Sequence, residues 1–128
     1  MTQQPRVLVV EDDETIRETV VEFLDEEGYP AVGAVHGRDG LAKLAALNPL
    51  PRLILLDLMM PVMDGRSFRE QQLREPTLAA IPVIVLSALV DSSNQASQMN
   101  VAGHLKKPFS LADLMALVRE HCGAPRVA

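Results

Sequence analysis

Short apolar runs alternate along this chain with longer stretches in which apolar residues recur every three or four positions. Arg6–Val10 (RVLVV) is rich in β-branched residues and predicts a buried strand. From Glu14 the apolar positions become Ile16, Val20, Phe23 and Leu24, an amphipathic helical stripe, and Gly28 follows where a left-handed C-terminal cap needs no Cβ. Ala31–Val35 predicts a weaker second strand. Leu41, Leu44 and Ala45 mark a second helix, ended by Asn48-Pro49 and Pro51. Leu53–Leu56 (LILL) is the most hydrophobic run and predicts a central strand buried on both faces. Pro61 and Asp64-Gly65 make a loop, and a third helix runs through Phe68 to Arg74. Pro82–Leu86 (PVIVL) is the fourth strand, with its proline at the entrance. Asp91–Gln98 is polar and carries a short fourth helix, and His104–Lys106 is a short fifth strand. Ser110 and Asp113 form a capping-box-like start to a last helix, whose apolar stripe is Leu111, Leu114, Leu117 and Val118.

Strands alternating with helices imply βαβ units and a parallel sheet covered on both faces. Right-handed crossovers leave few topologies, and we favour a doubly wound five-stranded α/β sheet of order 2-1-3-4-5. The 128 residues fit one domain, with a core over about 6–122 and a frayed tail over 123–128. With no Trp, one Tyr and three Phe, that core must be aliphatic. The net charge of −5, with no basic run longer than Lys106-Lys107, argues against a nucleic-acid partner. One cysteine, Cys122, excludes an internal disulfide and suits a reducing compartment. No apolar stretch reaches the roughly 18–20 residues that span a bilayer, and Met1–Pro5 lacks a signal-peptide pattern. We therefore expect a cytoplasmic protein with no membrane partner.

Ligands of open α/β sheets bind at the carboxyl ends of the strands, near the point where strand order reverses. Strand one ends in Glu11, Asp12 and Asp13, strand three in Asp57, strand four in Ser87, and strand five in Lys106-Lys107-Pro108. Singly, each has an ordinary explanation. An acidic run is usually a solvated helix N-terminus, an Asp commonly caps a turn, and a lone Ser is most often bonded to backbone. Their joint placement on one sheet edge argues for a site. Clustered carboxylates must hold a cation or raise a pKa, and an all-oxygen donor set selects a hard cation, Mg²⁺ before Ca²⁺ or Zn²⁺. A carboxylate beside such a cation and an ammonium suits attack on a phosphoryl group.

The segments VLVVEDDE, LILLDLMMPVMDG, PVIVLSA and HLKKPF, in that order, resemble the receiver domain of two-component response regulators from about Val7 to Val118. The order 2-1-3-4-5 is that family's flavodoxin-like topology, so fold and resemblance are not independent inferences. The resemblance implies that Asp57 is the phosphoacceptor and that Glu11, Asp12, Asp57 and the Met59 carbonyl hold Mg²⁺, Glu11 acting through water. It implies that Ser87 is the switch hydroxyl and that Lys107, before a cis Pro108, contacts the phosphoryl group. His104 stands where the family usually carries a rotating Tyr or Phe. The interval from Ser87 to Lys107 is about two residues shorter than usual. Met59 and Leu89, at positions that tune dephosphorylation, are both apolar, whereas Ala88 is small, as access requires. Asp13 is expected to cap a helix; His36, His104 and His121 lack metal-ligand spacing, and Met59, Met60 and Met63 should fill core or loop gaps.

On this reading the chain is a signalling switch rather than an enzyme with a substrate. It takes a phosphoryl group from a histidine kinase or histidine phosphotransfer protein and signals to a downstream protein. With no output domain in the sequence, the signal would leave through the fourth helix, fifth strand and last helix, unless the chain is a receiver cut from a larger protein. Three rivals differ by observable chemistry. A haloacid-dehalogenase-type phosphatase wants a second carboxylate at position 59, where Met stands. A flavodoxin-like carrier would cradle a phosphate where Glu11 and Asp12 repel it. A non-phosphorylated interaction module would not need the acids, Ser87 and Lys107 together.

Overall fold

The computed structural model describes residues 4–88 and 98–126. Leu89 and residues 91–97 of the expected fourth helix lie outside the described residues. Strands β1 (Val7–Val10), β2 (Ala31–Ala34), β3 (Leu53–Asp57), β4 (Val83–Ser87) and β5 (Gly103–Lys106) form one parallel sheet in the order β2-β1-β3-β4-β5, as expected. The helices described are α1 (Glu14–Glu26), α2 (Gly37–Ala46), α3 (Gly65–Arg74), the single turn α4 (Pro76–Ala79) and α5 (Leu111–Cys122).

Strand side chains alternate in direction, so the continuously apolar strands feed two cores. Val7, Val9, Leu53, Leu55, Ile84 and Leu86 pack against Val20 and Leu24 of α1 and Leu114 and Val118 of α5. Leu8, Val10, Ile54, Leu56, Val83 and Val85 face Leu44 of α2 and Phe68 of α3. Every position of β1, β3 and β4 is buried, which is why their sequences show no polar alternation. Truncating one such Leu to Ala costs about 2–5 kcal/mol, because the cavity it leaves collapses only in part.

The ends of the elements show what periodicity could not. Asp13 caps α1, its Oδ1 accepting from the Ile16 N–H at 3.0 Å. Gly28, at φ +89°, closes that helix: its N–H donates to the Asp25 carbonyl, and the Tyr29 N–H donates to that of Leu24, the two bonds of a Schellman turn. Strand β2 stops at Ala34 rather than Val35, whose N–H turns to Asp39 Oδ2 at 3.0 Å. Helix α2 starts at Gly37, a turn before its apolar stripe, because His36 Nδ1 accepts from the Asp39 N–H at 3.1 Å; histidine is not among the usual caps. Helix α3 starts at Gly65, with Asp64 Oδ1 accepting from the Ser67 N–H at 2.8 Å. The turn α4, opened by Pro76, was not foreseen. At α5, Ser110 Oγ accepts from the Asp113 N–H at 3.0 Å, half of a capping box.

Fraying was expected beyond Gly123, yet Ala124–Arg126 is docked under the amino end of the sheet. The buried Arg6 guanidinium donates to the carbonyls of Cys122 and Ala124, and Tyr29 Oη donates to that of Gly123 at 2.7 Å. The Arg126 N–H donates to the Gly28 carbonyl at 2.8 Å, where a Cβ on residue 28 would stand 2.6 Å from the Arg126 oxygen. Buried donors that need acceptors hold this segment in place.

Candidate functional site

The parallel register brings four strand ends to one edge: Val10 pairs with Leu56, Asp57 with Leu86, and Ser87 with Lys106. Glu11 follows β1 directly, its N–H held by the Ala34 carbonyl at 3.0 Å, and its side chain is fully buried. Asp57 ends β3 and is 3% exposed. Ser87 ends β4 and is buried. The Lys107 N–H donates to the Ser87 carbonyl at 2.7 Å, which aims the lysine across the edge. The Lys107-Pro108 bond is cis, as the resemblance implied.

Lys107 Nζ lies 2.7 Å from Glu11 Oε2 and 3.4 Å from Asp57 Oδ1, so one ammonium bridges two carboxylates. Glu11 Oε1 also accepts from the Asp13 N–H at 3.2 Å, and Asp57 Oδ1 accepts from the Met59 N–H at 3.4 Å. Burial pushes the Asp57 carboxyl up to about 7, helped by the Glu11 charge and the Asp12 hydrogen bond; Lys107 and the Met59 N–H pull it back only in part. Burial opposes the charge on Lys107, but its hydrogen bond to Glu11 and the charges of Asp57 and Glu11 win, and its pKa rises.

Glu11, Asp12 and Asp57 each present a carboxylate oxygen within 4.8 Å of the others. Three carboxyl groups share one ammonium, and the crowding keeps a proton on Asp57 to higher pH. Like charges about 4 Å apart repel by roughly 4 kcal/mol at an effective dielectric of ~20, which favours either a bound cation or a retained proton. The oxygen-only donors of the site fit a hard divalent ion.

Among the residues expected at the site, Glu11, Asp12, Asp57, Ser87 and Lys107 come together at this edge. Met59 lies on the rim and is 64% exposed, so it fills no gap, whereas Met60 and Met63 pack against the second core. His104 is exposed on the edge strand β5, paired with Val85. The sequence reading missed Gly65. Its N–H donates to the Leu58 carbonyl at 3.0 Å, and a Cβ there would stand 2.5 Å from the Asp57 carbonyl oxygen. Only glycine lets α3 start this close to the end of β3. The available signal is the Asp64-Gly65 pair, which by itself predicts only a loop. Beside Lys107 lies an apolar groove of about 460 Å³, walled by Ile16, Val20, Pro108, Phe109 and Leu111.

Two buried carboxylates bridged by one lysine, with the exposed Asp12 beside them at the switch point of a parallel 2-1-3-4-5 sheet, fit a divalent-cation site at an aspartate-bearing strand end. Comparison with known proteins narrows the class. The family model for the response regulator receiver domain matches residues 7–119. The transcriptional regulator RpaA of Synechocystis is 36% identical over 117 residues, covering 90% of this chain and 48% of that protein. The chain spans about half the length of the first curated relatives it matches. The chemotaxis protein CheY4 of Vibrio cholerae superposes with a TM-score of 0.83 at 26% identity, covering 93% of this chain and 99% of that one. The response regulator TrrA of Thermotoga maritima, solved in complex with Mg²⁺-BeF, superposes with a TM-score of 0.77 at 29% identity, covering 91% and 98%. The chain belongs to the response regulator receiver domain family and is a phosphoacceptor signalling switch. No described helix is long and apolar enough to cross a membrane.

Proposed function

We propose that Asp57 accepts the phosphoryl group, from a phosphohistidine on a sensor kinase or phosphotransfer protein. The observation that carries this reading is the Lys107 ammonium, held at 2.7 Å from Glu11 and 3.4 Å from Asp57. An Asp57 carboxylate oxygen forms the new P–O bond as the P–N bond to the donor imidazole breaks, and the imidazole leaves with a proton. Lys107 turns from the carboxylates toward the phosphoryl oxygens, a charge-assisted contact stronger than a neutral one. The Ser87 hydroxyl, buried at the end of β4, donates to another phosphoryl oxygen. His104, exposed on β5, follows Ser87 inward and alters the surface offered to a downstream protein.

Glu11, Asp12, Asp57 and the Met59 carbonyl would hold Mg²⁺, the ion bound by the TrrA relative. When bound, Mg²⁺ supplies charge neutralisation for the phosphoryl oxygens. The groove beside Lys107 suits the apolar side of a helix carrying the donor histidine. Self-phosphorylation from small donors and self-dephosphorylation by water follow from the same geometry. With Met59 exposed at the rim and apolar, and Leu89 apolar too, neither side chain can orient an attacking water, so the phosphoprotein is long-lived. A lifetime of seconds for phosphate release would contradict that. We place the protein in the cytoplasm, with the kinase.

Intact-mass analysis after incubation with Mg²⁺ and a small phosphodonor tests the central reading. One added phosphoryl group is expected, lost in Asp57→Asn and lost without Mg²⁺. No adduct on the native protein would refute it.

A further inference from the structure

We propose that Arg17 is a positioning residue for the acidic pair after β1, and that Gly33 on β2 makes the room it needs; this rests on the reading of Glu11, Asp12 and Asp57 as a Mg²⁺ site. Arg17 Nη1 donates to the main-chain carbonyl of Glu11 at 2.9 Å and to that of Asp12 at 3.4 Å. Those carbonyls belong to two of the three residues whose carboxylates converge. Among the described residues no carboxylate pairs with this guanidinium, which is committed to backbone instead. Its stem lies across β2, where a Cβ on Gly33 would stand 3.0 Å from both Cγ and Cδ of Arg17. A glycine inside a strand weakens it and often marks a close approach, and here the approaching group is the Arg17 stem. Asp13 already fixes the far side of this loop by capping α1. Arg17 fixes the near side, and with it the peptide planes from which the Glu11 and Asp12 side chains project.

Electrostatics alone predicts the opposite sign. A guanidinium near a cation site repels the cation, so removing it would tighten binding. Positioning predicts weaker binding, of the size seen when groups that orient metal ligands are lost. The test is calorimetric titration of the metal-free full chain with Mg²⁺, with melting temperature followed in parallel. Arg17→Met, which keeps the stem, is expected to weaken Mg²⁺ binding about tenfold. Gly33→Val keeps the charge, suits a strand and displaces the stem, so it is expected to weaken binding in the same direction without lowering the melting temperature. The double variant should be no weaker than Arg17→Met, because both changes break one contact. Unchanged or tighter binding in Arg17→Met overturns the proposal; if that variant does not fold, unchanged binding in Gly33→Val overturns it. Failure of the unaltered protein to bind Mg²⁺ would instead overturn the metal-site reading beneath it.

Discussion

The two ends of β1 each carry a buried charged residue, and the chain treats them in opposite ways. At the amino end Arg6, 7% exposed, lies over the Tyr29 ring at 5.3 Å and donates to the carbonyls of Cys122 and Ala124. Its partners are neutral carbonyl acceptors at the end of α5 and in the tail that Arg6 itself holds in place. At the carboxyl end Glu11, fully buried, shares one lysine with Asp57 while Asp12 stands within reach. The amino end is a satisfied clamp. The carboxyl end crowds three carboxyl groups around one ammonium, and Asp57 answers by holding its proton to higher pH. Stripping partners from a buried charge is costly, whereas a cluster of crowded carboxyl groups with a shifted pKa marks a candidate site for ions and phosphoryl groups.

The largest effect that can break this contrast is at Lys107. Lys107→Met removes the shared cation, and phosphotransfer to Asp57 should fall at least about 100-fold, as when one preorganised charge contact is lost. Mass-resolved labelling time courses measure it; a fall of only a few-fold would mean the lysine is a structural pair.

Arg6→Met tests the other end. It strands the Cys122 and Ala124 carbonyls and undocks the tail, and should cost about 2–3 kcal/mol in denaturant unfolding. The labelling rate of the folded protein should not change. A loss of labelling in step with stability would deny that the ends act separately.

The metal-free protein should carry a pH signature from the carboxyl end alone. The Asp57 carboxyl sits near 4 in an unfolded chain and is pushed up to about 7 in the folded one. The folded state therefore binds the extra proton between those values, and that stability is complete below the unfolded pKa. It is lost as pH rises through the folded pKa. Melting temperature in chelator should fall across this window and recover with Mg²⁺. Asp57→Asn should flatten the fall and melt roughly 5 °C higher above it. An unchanged slope in that variant would show that the pH dependence lies elsewhere.

The smallest effect lies in the loop after Asp57. Val62 sits at φ +68° with the Met63 N–H donating to the Pro61 carbonyl at 2.7 Å, the rare γ-turn, and its side chain is 67% exposed. A β-branched residue is strained there and gains little from burial. Val62→Asn, which tolerates positive φ, should stabilise the protein by about 1 kcal/mol in chemical unfolding. No gain would mean the turn relaxes in solution.

Much of this was legible in the sequence because it rests on periodicity and on residue type. The apolar runs at Val7–Val10, Leu53–Leu56 and Val83–Leu86 are buried on both faces and had to be interior strands, and the residues that end or follow them gather at one edge of the sheet. Asp13 and Ser110 were readable as caps because a short oxygen-bearing side chain ahead of an apolar stripe has that role. Gly28 was readable because only glycine closes a helix without strain. The acids, the hydroxyl and the lysine were readable as one cluster because each follows or ends a strand of the same parallel sheet.

Tertiary structure alone decided the contacts between segments distant in the chain. Nothing local announces that Arg6 will hold the tail, since its acceptors lie 116 and 118 residues away. Nothing near Gly65 reveals that a Cβ would strike the Asp57 carbonyl, or near Gly33 that Arg17 lies across it. His36 as a helix cap and Met59 at the rim rather than in a core were likewise set by where neighbouring segments fell. Sequence pattern specifies which face of an element is apolar and which residue types close it. The bridging of Glu11 and Asp57 by one lysine depends on three strand ends meeting to within ångströms, and only the assembled sheet fixes that.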